Sequence, residues 1–306
     1  MKLQEFIASI TDKVSGILGD GFTLSSKKVL KNNSIEFECL IVSQENNCIS
    51  PSIYLNNYYL EYLSGRSLED LAEEIVSFYW YCLNQIPGNA CQYLDTENAV
   101  DKVVMRLVSY TQNKKYLENC PYTRVEDLAI TYHYVVTNDD ENGLSTVKID
   151  YENMKFFNID EAEMRRKALD NTERLFPAVF EKVEYLVKKF LEDKLGVQPA
   201  EDYWNHHGVS MYVITTKTRL NGAVCILYKG MLERIRKTLD SDFFIIPSSI
   251  NEIILVPDVG ITDRETLDEM LRFVNKEEVP SIEVLSDHIY HYPENQFELT
   301  SDPSVG

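Results

Sequence analysis

A chain of 306 residues exceeds what one hydrophobic core usually organises, so the length predicts two domains or one domain with large elaborations. Apolar residues at 44% and charged residues at 26% exclude a chain that is disordered throughout or fibrous, and leave only the small, polar stretch 301–306 as a disordered end. With 30 basic against 49 acidic residues the net charge is −19, which repels nucleic-acid phosphate and anionic lipid and excludes binding to either through a broad basic face.

The N-terminal stretch MKLQEFIASITDKVSGIL puts Leu3, Phe6, Ile7, Ile10, Val14 and Ile17 on one helical stripe. Glu5 and Asp12 interrupt the apolar run that a signal peptide would need, and no window approaches the eighteen apolar residues of a spanning helix. Asp20-Gly21 closes this helix. Residues 22–31 and 35–42 flank the turn-forming Asn32-Asn33-Ser34 and predict a β-hairpin, with Ile35, Phe37, Cys39 and Ile41 alternating against Glu36 and Glu38. Ser52 to Leu55 predicts a third short strand.

Ser67-Leu68-Glu69-Asp70 has the form of a capping box and opens a helix with Leu68, Leu71, Ala72, Ile75, Val76, Tyr79, Trp80 and Leu83 on its stripe. Pro87-Gly88 ends it. The spacing of Val100, Val103, Val104, Leu107 and Val108 predicts a further helix over 96–112. DLAITYHYVVT (127–137) and residues 145–150 read as strands around the polar loop 138–143, whose acids lack the spacing of a calcium loop.

Asp160 opens a charged helix to Leu175, and a second helix is expected over 178–195 after Pro177. Residues 196–207 form the clearest linker. The stretch Ser210 to Asp258 reads as a strand, a loop, an apolar run, an amphipathic helix and two short strands, a sheet with a helix laid on it. Thr262-Asp263-Arg264-Glu265 repeats the capping pattern before a helix to Asn275, and short strands are expected over 289–292 and 296–300. These elements predict an α+β fold: mixed, mostly antiparallel sheets with helices packed on them, in two halves, 1–150 and 151–306. No internal repeat is present.

Residues 257–306 hold twelve acids and three bases, which serves as a solubilising surface or as an acidic face for a cationic partner. Six cysteines without a Cys-x-x-Cys pair predict reduced, mostly buried thiols and a cytoplasmic chain. Cys225, in the apolar run 223–228, reads as a buried, inert thiol. His288 and His291 beside Asp287 are the densest set of metal-ligand types, but positions i and i+3 of a strand face opposite sides, so no metal site is expected. His206-His207 beside Trp204 reads as linker. Neither a phosphate-binding loop nor a dinucleotide fingerprint occurs, and no cofactor is expected.

Two functional readings remain. Ser249, Asp258 and His288 are the residue types of a hydrolytic triad, near strand ends of the second half, without the glycine-flanked elbow that would support it. The other rests on the 19 tyrosines, concentrated at Tyr54, Tyr58, Tyr59, Tyr62, Tyr79 and Tyr81 and again at Tyr132 and Tyr134. Tyr54, Tyr58, Tyr59 and Tyr62 are either half-buried support or a recognition surface, since tyrosine combines large contact area with low entropic cost.

Taken together, the segments ISPSIYLNNYYLEYLSGRSLEDLAEEIVSFY, DLAITYHYVV, MRRKALDNTERLFP, TKTRLNGAVCILYKGMLERI, IIPSSINEIILVPD and EVLSDHIYHY resemble a gut-bacterial, Clostridia-type family known only as a domain of unknown function. The resemblance covers nearly the whole chain. The second half is also distantly similar to a bacillus-type family of equally unknown role, in RRKALDNTERLFP and SSINEIILVPD. These resemblances imply a bacterial cytosolic protein and carry no catalytic residue. The leading expectation is a non-catalytic binding or regulatory module for a protein or peptide partner; the alternative is a hydrolase of unfamiliar type.

Overall fold

Helices and mostly antiparallel sheets alternate along the computed structural model of this chain, which describes residues 1–44, 51–84, 99–139, 143–190, 210–260 and 263–294. The α+β expectation is borne out. Residues 1–99 with 136–145 form one unit and residues 100–135 with 146–306 the other, so the first unit is not one continuous stretch of chain.

In the first unit α1 (Leu3–Leu18) buries Phe6, Ile7, Ile10 and Val14, the stripe its spacing predicts, and Gly19 ends it at φ 76°. The hairpin forms as expected: β1 (Phe22–Leu30) pairs antiparallel with β2 (Glu36–Gln44), Val29 opposite Phe37, around a turn in which Asn33 takes φ 58°. Asparagine tolerates that left-handed backbone better than a branched residue does. The burial of β2 departs from simple alternation. Leu40 and Val42 enter the core, while Cys39 and Ile41 are covered as well.

A short third strand, β3 (Ser52–Tyr54), pairs with β2 and leads directly into α2 (Leu55–Leu63). Ser67 accepts a hydrogen bond from the Asp70 amide at 3.1 Å, which satisfies one free donor at the start of α3 (Leu68–Asn84). Phe6, Ile10, Leu40, Ile53, Leu55, Leu71, Ile75 and Tyr79 close the core of this unit.

Two further sheets lie wholly or mostly in the second unit; residues 136–139 and 143–145 of one of them belong to the first. One has the order β4-β6-β5, with β7 also on β6: β4 (Val103–Ser109), β5 (Tyr122–Val125), β6 (Leu128–Asp139) and β7 (Gly143–Lys148), with the short helix α4 (Lys114–Leu117) after β4. The helix expected over 96–112 is corrected by β4. Val103, Val104, Met105, Leu107 and Val108 are buried on both faces of the strand, so its sequence lacks the period of two and mimics a helical stripe; the β-branched side chains settle it. Asp160 caps α5 (Glu161–Leu175) by accepting the Glu163 amide at 2.7 Å, and α5 packs on β4, where Thr172 Oγ1 accepts the Met105 amide at 2.8 Å.

The other sheet is antiparallel in the order β12-β10-β11-β9-β8. Its strands are β8 (Ala178–Lys182), β9 (Tyr212–Thr216), β10 (Phe243–Ile246), β11 (Glu252–Pro257) and β12 (Tyr290–Tyr292). Here the helix expected from 178 is corrected: Ala-Val-Phe after Pro177 pairs with β9, and helix α6 starts only at Val183 (Val183–Phe190). The apolar run at 223–228 lies mostly in a 3₁₀ helix, Gly222–Leu227, buried throughout. Two amphipathic helices follow, α7 (Met231–Leu239) and α8 (Arg264–Glu277). The capping pattern expected from Thr262, which lies outside the described residues, gives way to Asp263 as the cap of α8: its carboxylate accepts the Glu265 and Thr266 amides at 3.4 and 3.2 Å. The turn at Pro87-Gly88, the linker 196–207 and the strand expected over 296–300 lie outside the described residues.

Candidate functional site

The tyrosines of the first unit are held mostly by packing. Tyr59 and Tyr62, on adjacent turns of α2, set their rings 5.3 and 5.4 Å from Phe6 of α1, and the Tyr59 hydroxyl donates to the Met1 carbonyl at 3.0 Å. Tyr54 meets Phe37 edge-on at 5.4 Å with Lys31 Nζ 4.8 Å above its ring. Tyr58 is half-buried, and burial, followed by the charge of Glu74 and Glu61, raises its phenol above the ordinary range. Tyr58, Tyr59 and Tyr62 pack against the core, and all four tyrosines keep an edge toward solvent.

The open apolar surface lies on the neighbouring turns. Leu60 and Leu63 of α2 are 61% and 59% exposed, and Phe78, Trp80 and Tyr81 of α3 are 41%, 43% and 55% exposed. Helical spacing places Asp70, Glu73, Ser77 and Tyr81 opposite the buried line Leu71, Ile75 and Tyr79, with Phe78 and Trp80 on either flank. Trp80, expected on the buried stripe, instead lies at its margin, edge-on to Phe22 and Tyr79 at 5.9 and 5.2 Å. Arg66, in the α2–α3 connection, braces the pair by binding Glu61 and, at 2.8 Å, Glu74. Phe78 and Tyr81 are legible as surface residues because both fall off the predicted stripe.

The second unit gathers its polar groups around Asp127, in the turn between β5 and β6 that Glu126 makes with φ 55°. Ser286 Oγ donates to Asp127 Oδ2 at 2.8 Å, the Tyr290 hydroxyl donates to Oδ1, and His288 Nδ1 lies 3.1 Å from Oδ2. Ser286 Oγ also accepts the His288 amide at 2.9 Å, while Asn275 of α8 donates to the Ser286 carbonyl and to Asp287, each at 2.8 Å. Burial, then the adjoining Asp127, raises the Tyr290 phenol far above its ordinary range, which keeps it a neutral donor. A carboxylate offers only acceptors, so His288 meets it through an Nδ1–H donor. The Asp127 side chain is 21% exposed and that of His288 70%, so a sheltered anion orients an open imidazole.

Ser249, Asp258 and His288 are each engaged elsewhere and do not meet. Ser249 Oγ accepts the Asn251 amide at 3.1 Å and its backbone bridges to Val284. Asp258 takes His291 Nε2 at 3.1 Å and the Gly260 amide at 3.0 Å. His288, which precedes β12, and His291, within it, hold different carboxylates. Sequence reasoning missed Asp127, because 161 residues separate it from His288 and it reads as the polar start of a strand.

Among the described residues, no group of three or more His, Cys, Asp and Glu side chains could hold a metal ion. Cys225 is fully buried, as expected, and burial pushes its thiol up to about 12, the reverse of an activated nucleophile. No helix of the described residues is long and apolar enough to cross a membrane.

A family described as a family of unknown function, DUF5688, matches residues 3–294. No curated protein and no solved structure matches the chain.

Proposed function

We propose that this chain, which belongs to the family of unknown function DUF5688, is a non-catalytic binding module that captures a protein or peptide partner on α2 and α3. The observation that supports this reading is the set of five large apolar side chains, Leu60, Leu63, Phe78, Trp80 and Tyr81, left exposed on two consecutive helices. Water-facing aromatic side chains on a braced helix are the raw material of binding hot spots, and exposed apolar patches mark interaction sites. Tyr59 and Tyr62 fix α2 on Phe6 of α1, and Tyr54, Tyr58, Tyr59 and Tyr62 lend this surface their open edges. The four described cysteines are free thiols, which fits a cytosolic setting.

Selection of displayed random peptides on the wild-type chain, with counter-selection on the Phe78→Ser/Tyr81→Ser double variant, tests the reading. Peptides that bind the first and not the second are expected. If no peptide tells the two apart, this surface is not a docking site.

A hydrolytic reading retains one supporting observation, the pairing of the exposed His288 with the sheltered Asp127 in place of Asp258. An imidazole so oriented can act as a general base toward water. Turnover of a chromogenic ester panel that disappears in both His288→Ala and Asp127→Asn would favour it; equal rates in all three proteins would remove it.

A further inference from the structure

We propose that the partner segment is cationic and amphipathic: Lys or Arg side chains facing Asp70 and Glu73, and apolar anchors seated on Phe78, Trp80 and Tyr81. This inference rests on the docking reading above and adds the chemistry of the occupant.

Residues 55–84 hold five acids against the single base Arg66. Arg66 is occupied by Glu61 and Glu74, and Lys13 pairs with Glu69 at 2.5 Å. The remaining acids of this stretch, Asp70 and Glu73, are exposed and share the outward line of α3 with Tyr81. They sit about 1.4 to 3 turns before the aromatic side chains. At 1.5 Å per residue, Glu73 and Tyr81 lie about 12 Å apart along the helix.

The face is therefore graded, acidic at its N-terminal half and aromatic at its C-terminal half. A complementary segment carries positive charge about two helical turns from its apolar anchors, a spacing that an amphipathic helix supplies on one side. Guanidinium or ammonium groups also gain from the faces of Trp80 and Tyr81. An acidic segment meets Asp70 and Glu73 with like charge, on a chain already at −19.

The test uses the full chain carrying Trp204→Phe, which leaves Trp80 as the sole tryptophan of the two in the sequence. Three synthetic peptides of about 18 residues, or five helical turns, are titrated against its emission: a Leu/Lys amphipathic helix, its Leu/Glu counterpart and a Ser/Lys control. The Leu/Lys peptide is expected to shift Trp80 emission and to bind about tenfold or more tighter than either of the others. Asp70→Lys/Glu73→Lys is expected to remove most of that advantage and to improve binding of the Leu/Glu peptide.

Equal binding of the Ser/Lys peptide overturns the inference, because charge alone then suffices. An unchanged affinity in Asp70→Lys/Glu73→Lys also overturns it, because the attraction then comes from the whole chain. If the Leu/Glu peptide binds as well as Leu/Lys and both are lost in Phe78→Ser/Tyr81→Ser, the docking surface stands and its cationic preference falls. If neither leucine peptide moves Trp80 emission and no displayed peptide separates wild type from the double variant, the docking surface falls too.

Discussion

His288 Nδ1 lies 3.1 Å from Asp127 Oδ2 across 161 residues of sequence, and the same carboxylate holds the hydroxyls of Ser286 and Tyr290. One side chain in a β-turn thus gathers three donors from the segment that enters β12. The Asp127→Ala variant leaves the mostly buried Ser286 and Tyr290 hydroxyls without their acceptor, at about 1–3 kcal/mol for each such group. A loss of about 2–4 kcal/mol in chemical denaturation is expected, with Asp127→Asn losing less because its amide keeps one acceptor oxygen. A melting curve of Asp127→Ala that superimposes on wild type would show that the cluster contributes nothing to the fold.

Three tyrosines make the fold sensitive to alkali. Burial is the largest cause raising the phenols of Tyr116, Tyr228 and Tyr290 above the ordinary value near 10. Tyr228 is fixed inside by donating to the Phe176 carbonyl at 2.7 Å. A group whose folded pKa exceeds its unfolded one contributes its stability below the unfolded pKa and loses it as pH rises. Stability should therefore hold up to about pH 10 and fall above it as the unfolded chain releases these protons first. Tyrosinate absorbance followed upward in pH should show these three ionising only together with unfolding. Smooth ionisation of all 19 tyrosines in a chain that stays folded would contradict this.

Gly222 opens the buried 3₁₀ helix where two strand ends converge. Its amide donates to the Asn251 carbonyl at 3.0 Å, and a Cβ at this position would stand 2.6 Å from the Thr216 backbone nitrogen and closer still to Thr215 Oγ1. Backbone cannot move aside as a side chain can. Gly222→Ala is expected to cost about 1–3 kcal/mol, as overpacking a filled interior does. Gly16, with nothing near its Cβ position, is the control; in a helix interior Gly16→Ala should be neutral or stabilising, by up to about 1 kcal/mol.

The sequence and the structure agree where one physical signal dominates. The amphipathic stripe of α1, the Asn-rich turn of the β1–β2 hairpin and the Ser67 and Asp160 caps are local, each written within a few residues. β4 was not legible. A strand covered on both faces has no alternation to display, and its valines fell by coincidence on a helical period. At β8 the deciding partner, β9, lies more than thirty residues downstream, so only tertiary pairing turns Ala178–Lys182 from helix to strand. The Asp127 cluster was hidden for the same reason. His288 was a visible candidate, but its carboxylate could not be chosen by sequence among 49 acids. Phe78 and Tyr81 were readable as off-stripe residues, whereas the marginal position of Trp80 depends on Phe22.

The two aromatic populations of the first unit give the sharpest contrast. The Tyr62 ring packs 5.4 Å from Phe6, itself wholly buried, while Tyr81 is 55% exposed on the far side of α3. Removing the first ring opens space against the core. Removing the second takes away only surface that water already touches. A fully buried aromatic truncated to Ala costs about 3–5 kcal/mol, and the half-buried Tyr62 should lose about 1.5–3 kcal/mol. Tyr81→Ala should stay within about 0.5 kcal/mol of wild type, as surface substitutions do. Its effect is expected instead on partner capture, where a hot-spot aromatic contributes about 1–3 kcal/mol. Paired melts and binding titrations of the two variants give opposite patterns if α3 is the docking face. A Tyr81→Ala variant as unstable as Tyr62→Ala would show that Tyr81 supports the fold, and would take away the surface on which capture depends.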